Sequence, residues 1–233
     1  MPRELNTTAL LNDANLQGYW RFESGALGTD SSSNGYDLSD GSNPSEIAGV
    51  FGGAVHLDGN DYLHIANASC PNLNITSDLS VCAWVYPTTV DVSQTIVDKD
   101  GRNDGGYSMG ITSDNDFRFL WRNTDVASSV YIHTMEIAVD TWYFLAATLY
   151  DAGGGTHVMK MYLNGVNVKE ENPTYLPASS TVDFAIGYRT TDGGALPFNG
   201  YIDDAAVFDR VLTPAEILAL FRNKSSPRGV IMV

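Results

Sequence analysis

The stretch 198-FNGYIDDAAVFDRVLTPAEILALF-221 runs from a strand-like segment into a helix. The helix is well punctuated. Thr213 is a good N-cap, Pro214 takes the first helical position, and Glu216 completes a capping box. Ile217, Leu220 and Phe221 then share one face that can dock on a sheet. The strand is irregular at its centre. Ala205 and Val207 alternate in phase, Ile202 is out of phase with them, and the adjacent carboxylates of Asp203 and Asp204 lie between. A solvated turn would explain the pair. A β-bulge at Asp203-Asp204 explains it better, because it reconciles the two registers and re-aims a carboxylate. Two neighbouring carboxylates repel, so burying either without a cation or donors is costly.

Outward from this stretch, short β-type runs recur between clusters of Gly, Asn, Asp and Ser. "AVHLDGNDYLHIA" (54–66) reads as a hairpin, with Val55 and Leu57 on one arm and Leu63 and Ile65 on the other. "FRFLW" (117–121) puts Phe117, Phe119 and Trp121 on one face with Arg118 between them. "TWYFLAATLY" (141–150) is apolar at nearly every position and reads as a strand covered on both sides or strongly curved. "VMKMYLNGVNVKE" (158–170) is a hairpin turning on Asn164-Gly165, and "VDFAIGY" (182–188) alternates again. The pattern predicts an all-β sandwich of two antiparallel sheets with one short C-terminal helix. At 233 residues the chain suits a single large core. An N-terminal arm is expected over 1–15, the domain over 16–223 and a tail over 224–233.

Composition removes several functions. With 13 basic against 28 acidic residues the formal charge is −15, which argues against nucleic acid and anionic membranes as partners. No apolar run is long enough to insert in a membrane as a helix. The opening "MPRELNTTALLNDANLQGYW" lacks the basic region, apolar run and cleavage site of a signal peptide, so ordinary secretion is not expected. Cys70 and Cys82 are too few for a zinc site and are not a CxxC pair; a disulfide and two free buried thiols both remain open.

Six pieces in a fixed order carry a family resemblance: "GYWRFESGALGTDSSSNGYDL", "FGGAVHLDGNDYLHI", "DLSVCAWVYP", "DTWYFLAATLY" with "MKMYLNGVNV", "FAIGY", and the closing "FNGYIDDAAVFDRVLTPAEI". Together, from about Leu16 to Arg222, they resemble the laminin-G-like jelly rolls of the concanavalin A-like lectin/glucanase superfamily. The order is specific for the fold and not for function, which lives in sites placed on folds.

The first and last strands hold candidate ligands for a cation. Glu23, Asp30 and Asn34 offer oxygens near the opening, and calcium takes six to eight oxygens from carboxylates, amides and carbonyls. Similar jelly rolls often carry a structural calcium tying first strand to last. The resemblance implies Glu23, Asp30, Asn34 and Asp203 as its ligands, with Asp204 as substitute. "DSSSNG" can equally be an Asx-type turn. "DKDGRNDGG" (98–106) fails as an EF-hand loop, because its twelfth position is Met109, and reads as a hairpin turn.

Sugar recognition asks for aromatic faces and polar groups near strand ends. Trp121, Arg122, Asn123, Tyr131 and Tyr188 are the candidates for that role. Catalysis is poorly supported, since no Glu-x-Asp and no GxSxG, HExxH or Walker motif occurs. The expected function is a non-catalytic, calcium-stabilised module binding a glycan or glycosylated surface. The alternative is a structural or assembly protein of a virion or appendage, with homo-oligomeric contacts. A glucanase-type hydrolase ranks a distant third.

Overall fold

The computed structural model describes residues 10, 12–101, 104–124, 126–189 and 196–224, with the backbone alone over 126–135 and 223–224. Two antiparallel sheets face one another. The larger, eight-stranded sheet runs in the order β13 (Val166–Glu171), β12 (Thr156–Leu163), β11 (Tyr143–Gly153), β6 (Leu79–Pro87), β15 (Asn199–Phe208), β4 (Gly53–Asp58) and β3 (Ser45–Ala48). Its remaining strand, β1 (Leu16–Trp20), pairs with the second half of β15. The smaller, seven-stranded sheet runs β10 (Val126–Glu136), β9 (Asp116–Asn123), β8 (Gly106–Ile111), β7 (Gln94–Asp98), β14 (Phe184–Ile186), β5 (Tyr62–Ile65) and β2 (Ser39–Gly41).

The core lies between the sheets. Val55, Leu57, Val81, Val85, Leu145 and Ile202 of the larger sheet meet Leu63, Val97, Phe117, Phe119, Phe184 and Ile186 of the smaller, all at most 1 % exposed. The alternation that sends these residues inward sends their neighbours to the outer faces. The outer face of the larger sheet has a second apolar cluster, covered by helix α1 (Pro214–Lys224), with Ile217 buried beside Trp84, Phe144 and Tyr162. Phe221 stacks on Trp84 with ring centroids 5.5 Å apart. This explains why "TWYFLAATLY" is apolar throughout: Leu145, Ala147 and Leu149 face the core, while Phe144 and Ala146 face the second cluster. The capping box forms as expected, with the Thr213 N–H donating to Glu216 Oε2 at 2.7 Å and the Glu216 N–H to Thr213 Oγ1 at 3.3 Å.

The hairpin expected over 54–66 is not one. β4 belongs to the larger sheet and β5 to the smaller, so the loop between them crosses from one sheet to the other. Both arms still present apolar residues to the same core, which is why alternation alone could not separate a hairpin from a crossover. The β12–β13 hairpin is present, with Asn164 at φ 50° and Gly165 at φ 78° giving the positive-φ turn. β7, which ends at Asp98, and β8, which begins at Gly106, are an antiparallel pair, so "DKDGRNDGG" lies between paired strands. Cys70 and Cys82 are both buried and are not bonded to each other. Leu10 is buried in the second cluster and Asp13 pairs with Arg210 at 2.6 Å, so these residues of the expected arm are tied to the domain.

Candidate functional site

Asp203 and Asp204 sit at a junction. One edge of β15 is shared end to end by two strands: β4 pairs with Asn199–Ile202, and β1 pairs with the segment beginning at Ala205. On the other edge the register with β6 shifts between Asp203 and Ala206, and Asp204 takes φ 48°. The bulge inferred from phase is therefore real. It buries both side chains, Asp203 at 0 % and Asp204 at 6 % exposure. Donors come from the segments flanking the junction. The Phe51 N–H donates to Asp203 Oδ2 at 3.1 Å, and the Gly53 N–H to Glu23 Oε2 at 3.2 Å. The Tyr19 hydroxyl donates to Asp204 Oδ1. Burial pushes the Tyr19 hydroxyl far above its ordinary pKa, which keeps it a donor at neutral pH.

The five expected calcium ligands do not gather as one set. Asp30 Oδ1 accepts the Tyr19 and Ser32 N–H groups, and Oδ2 accepts the Ser32 hydroxyl and the Tyr36 N–H, all at 2.7–2.9 Å. Asn34 donates its amide to Gln17 and accepts from Asn72. These two residues shape the 30–36 loop as an Asx-type turn and do not fit the ion. Glu23 and Asp203 instead converge on the loop 49–53, each bonded to one of its N–H groups. Their carboxylates, with peptide carbonyls and water, are the oxygen chemistry calcium takes. Among the described residues no three His, Cys, Asp or Glu side chains come within reach of one ion.

A second polar assembly lies on the outer face of the smaller sheet. On β9, Phe117, Phe119 and Trp121 point into the core, so Arg118, Leu120 and Arg122 point outward. Asp100, just past β7, is 0 % exposed and is clamped from both sides. Arg122 Nε donates to its Oδ1 at 2.6 Å, and Arg189 Nη2 to its Oδ2 at 2.5 Å. Beside Arg189, the Tyr188 ring stacks on Tyr62 at 4.7 Å with planes 25° apart. Tyr62 rests over Gly41, where a Cβ would stand 2.2 Å from the ring, so only glycine leaves that room. His64 follows on the same face of β5, 5.5 Å from Tyr62, with its Nδ1 3.9 Å from Asp183. Beneath, Lys99 is wholly buried and donates to Asn67 Oδ1 at 2.6 Å and the Val182 carbonyl at 2.5 Å. Burial lowers its pKa.

Of the five residues expected to meet a ligand, Arg122 and Tyr188 are in this assembly. Trp121 is not available to stack on a sugar: it is 0 % exposed in the core, with Nε1 donating to the Tyr175 carbonyl. Its phase with Phe117 and Phe119 puts it there. Asn123 donates to the Leu176 carbonyl and holds a loop. The Tyr131 side chain lies outside the described residues; its backbone pairs with Leu120. Tyr62, His64, Asp100 and Arg189 were not singled out from sequence. Once Leu63 and Ile65 are placed inward, alternation alone sends Tyr62 and His64 out; nothing local signals the Asp100–arginine clamp.

A family model described as the concanavalin A-like lectin/glucanases superfamily (laminin-G type) matches residues 57–218. No curated protein matches the chain in sequence. Among solved structures, domain 4 of AbnA, a GH43 extracellular arabinanase from Geobacillus stearothermophilus solved with arabinotriose, is similar at TM-score 0.67 and 21 % identity, over 88 % of this chain and 98 % of that one. The binding domain of Paraclostridial Mosquitocidal Protein 1 is similar at TM-score 0.71 and 14 % identity, over 90 % of this chain and 52 % of the other. A botulinum neurotoxin type C structure, described as entering cells through two ganglioside molecules, gives TM-score 0.64 and 19 % identity over 93 % and 53 %. The chain thus spans about half the length of these toxin structures. At these identities the likeness is one of fold.

Proposed function

The chain belongs to the concanavalin A-like lectin/glucanase superfamily, and from that premise we propose that it is a non-catalytic carbohydrate-binding module. Its ligand face is the outer face of the smaller sheet around Tyr188. The observation that carries this reading is the Tyr188–Tyr62 stack set beside the Arg122–Asp100–Arg189 clamp. An aromatic surface flanked by fixed polar groups is what sugar rings need, with C–H faces meeting the ring and hydroxyls meeting the polar groups. The arabinotriose held by the similar arabinanase domain supports it.

Hydrolysis by the glucanase route needs a carboxyl group free to give a proton and a second to act as nucleophile or base. Asp100, a buried carboxylate on this face, has guanidinium groups on both of its oxygens. That supports binding without turnover. We further place structural calcium at the β15 junction, held by Glu23 and Asp203 with peptide carbonyls of 49–53; the ion would neutralise the carboxylates and tie first strand to last.

A glycan array followed by calorimetry tests the function. Binding to at least one glycan is expected, with Tyr188→Ala weakening it at least about tenfold at unchanged melting temperature. Silence on every sugar, or release of reducing ends from a β-glucan, would overturn the reading.

A further inference from the structure

A row of aromatic side chains crosses the outer face of the larger sheet at right angles to its strands. Ser45 on β3 pairs with His56 on β4, His56 with Tyr201 on β15, and Tyr201 with Tyr86 on β6. Trp142, just before β11, lies next to Tyr86 with ring centroids 5.5 Å apart. The row draws one residue from each of five chain segments far apart in sequence. Tyr201 and Tyr86 stack at 5.1 Å with planes 17° apart, and His56 meets Tyr201 edge-on at 5.2 Å. Helix α1 covers Trp84 and Phe144 on this same face, yet Trp142, Tyr86, Tyr201 and His56 stay partly exposed.

One pleat further along the strands runs a parallel polar row. Asn199 pairs with Asp58, and the Thr88 hydroxyl donates to Asn199 Oδ1 at 2.7 Å. At the Tyr86 end, the Asp140 N–H bonds the Pro87 carbonyl and brings that carboxylate beside the Tyr86 hydroxyl. A hydroxyl, an amide and two carboxylates thus line an aromatic track.

The chemistry of the two rows selects an occupant. Neither contains Lys or Arg, and Asp58 and Asp140 repel an anionic polymer. Because Tyr86 and Tyr201 are stacked face to face, they turn ring edges and hydroxyls outward; the edges carry partial positive charge and favour hydroxyl oxygens. A second copy of the chain would bring these carboxylates together in a protein of net charge −15, which disfavours self-pairing. At roughly 4.8 Å between strands the track is about 19 Å long, room for about three to four sugar rings. We propose that this row is a second glycan site, for a neutral linear oligosaccharide of that length, on the opposite face from Tyr188. It does not depend on the Tyr188 site.

The test is calorimetry with neutral xylo-, cello-, manno- and arabino-oligosaccharides of about two to six units, in a Tyr188→Ala background so that only the row reports. Affinity is expected to rise with length to about four units and then level off. Tyr201→Ala and Trp142→Ala are each expected to weaken binding at least about tenfold. Tyr201→Phe, which keeps the ring and loses only the hydroxyl, should fall between, and unchanged melting temperatures certify the fold. Binding that is absent, independent of length, or untouched by the Tyr201 and Trp142 substitutions overturns the proposal. So does light scattering that finds a dimer which Tyr201→Ala splits, because the row is then a contact between copies. Sugar binding lost with Tyr188→Ala alone would overturn this site and leave the other standing.

Discussion

Tyr19→Phe removes one oxygen from the molecule and tests the account of the β15 junction. The Tyr19 hydroxyl, on a side chain 7 % exposed, donates to Asp204, which is 6 % exposed at the bulge. Phenylalanine keeps the ring, so packing is preserved and only the donor is lost. Hydrogen bonds to charged groups contribute about 1.5–3 kcal/mol, and a buried acceptor that loses its donor forfeits the upper part of that range. At roughly 2–4 °C per kcal/mol for a chain of this size, a loss of about 2–3 kcal/mol should lower the melting temperature by about 4–12 °C. Urea denaturation of Tyr19→Phe, Asp204→Asn and the double variant gives the coupling directly, expected above about 1 kcal/mol. There is also a signature in pH. The folded-state pKa of Tyr19 lies above its unfolded value of 10.0, so its contribution is complete below pH 10 and is lost as the pH rises further, when the unfolded chain gives up its proton first. Wild type should therefore lose stability above pH 10 more steeply than Tyr19→Phe. A variant within about 0.5 kcal/mol of wild type, or additive single effects, would refute the hydrogen bond as the reason these carboxylates tolerate burial.

Chelation should lower the melting temperature of wild type and leave Glu23→Gln and Asp203→Asn unmoved; equal curves with and without chelator would rule out calcium at the junction. Asp100→Asn should destabilise by about 3–5 kcal/mol in denaturant titration, because two largely buried guanidinium groups lose their anion; a loss under about 1 kcal/mol would mean the clamp is not structural. Burial alone would raise the Asp13 and Glu216 carboxyls, but hydrogen bonds hold both below their ordinary pKa values, from the Asn15 amide and Arg210 at Asp13 and from Arg210 and Thr213 at Glu216. Depressed carboxylates stabilise above their unfolded pKa values of 3.8 and 4.5, and that contribution is lost as the pH falls through the folded ones. The stability gap between wild type and Arg210→Ala, by thermal melts, should therefore narrow from about pH 5 to pH 3. A constant gap would remove the triad from the acid response.

The parts legible in the sequence are those decided by residues a few positions apart. The bulge showed as a phase break around Asp203-Asp204, the helix as Thr213, Pro214 and Glu216, and the β12–β13 turn as Asn164-Gly165. Each is a local geometric demand that one residue type meets best. What could not be read depends on which strands become neighbours. Leu57 and Leu63 are six residues apart and alternate like the arms of a hairpin, yet they stand on opposite sheets. The row Trp142–Tyr86–Tyr201–His56 has no signal at all in one dimension, since each residue is a lone outward aromatic until pairing aligns them. Trp121 illustrates the reverse. Its position near a strand end suggested a ligand surface, while its phase with Phe117 and Phe119 already assigned it to the core.

The paired aspartates follow from how the sheet is assembled. Two strands, β4 and β1, share one edge of β15, so between their ends neither can continue the ladder past Ile202 or before Ala205. Phe51 and Gly53, which arrive there half-buried, aim N–H groups at the gap, and such groups take acceptors. Asp203 and Glu23 supply them, to Phe51 and Gly53, from a strand and a loop already positioned at the gap. The bulge turns the Asp203 and Asp204 side chains toward the break, and Tyr19, from β1, donates to the second. An apolar residue at 203 would remove the bond that the Phe51 amide gives Asp203, so Asp203→Leu should cost more than Asp203→Asn, whose carbonyl can still accept. If both substitutions are equally costly, charge matters at the gap rather than acceptance. The proposed calcium adds to that acceptance, and the chelation curves report its share separately.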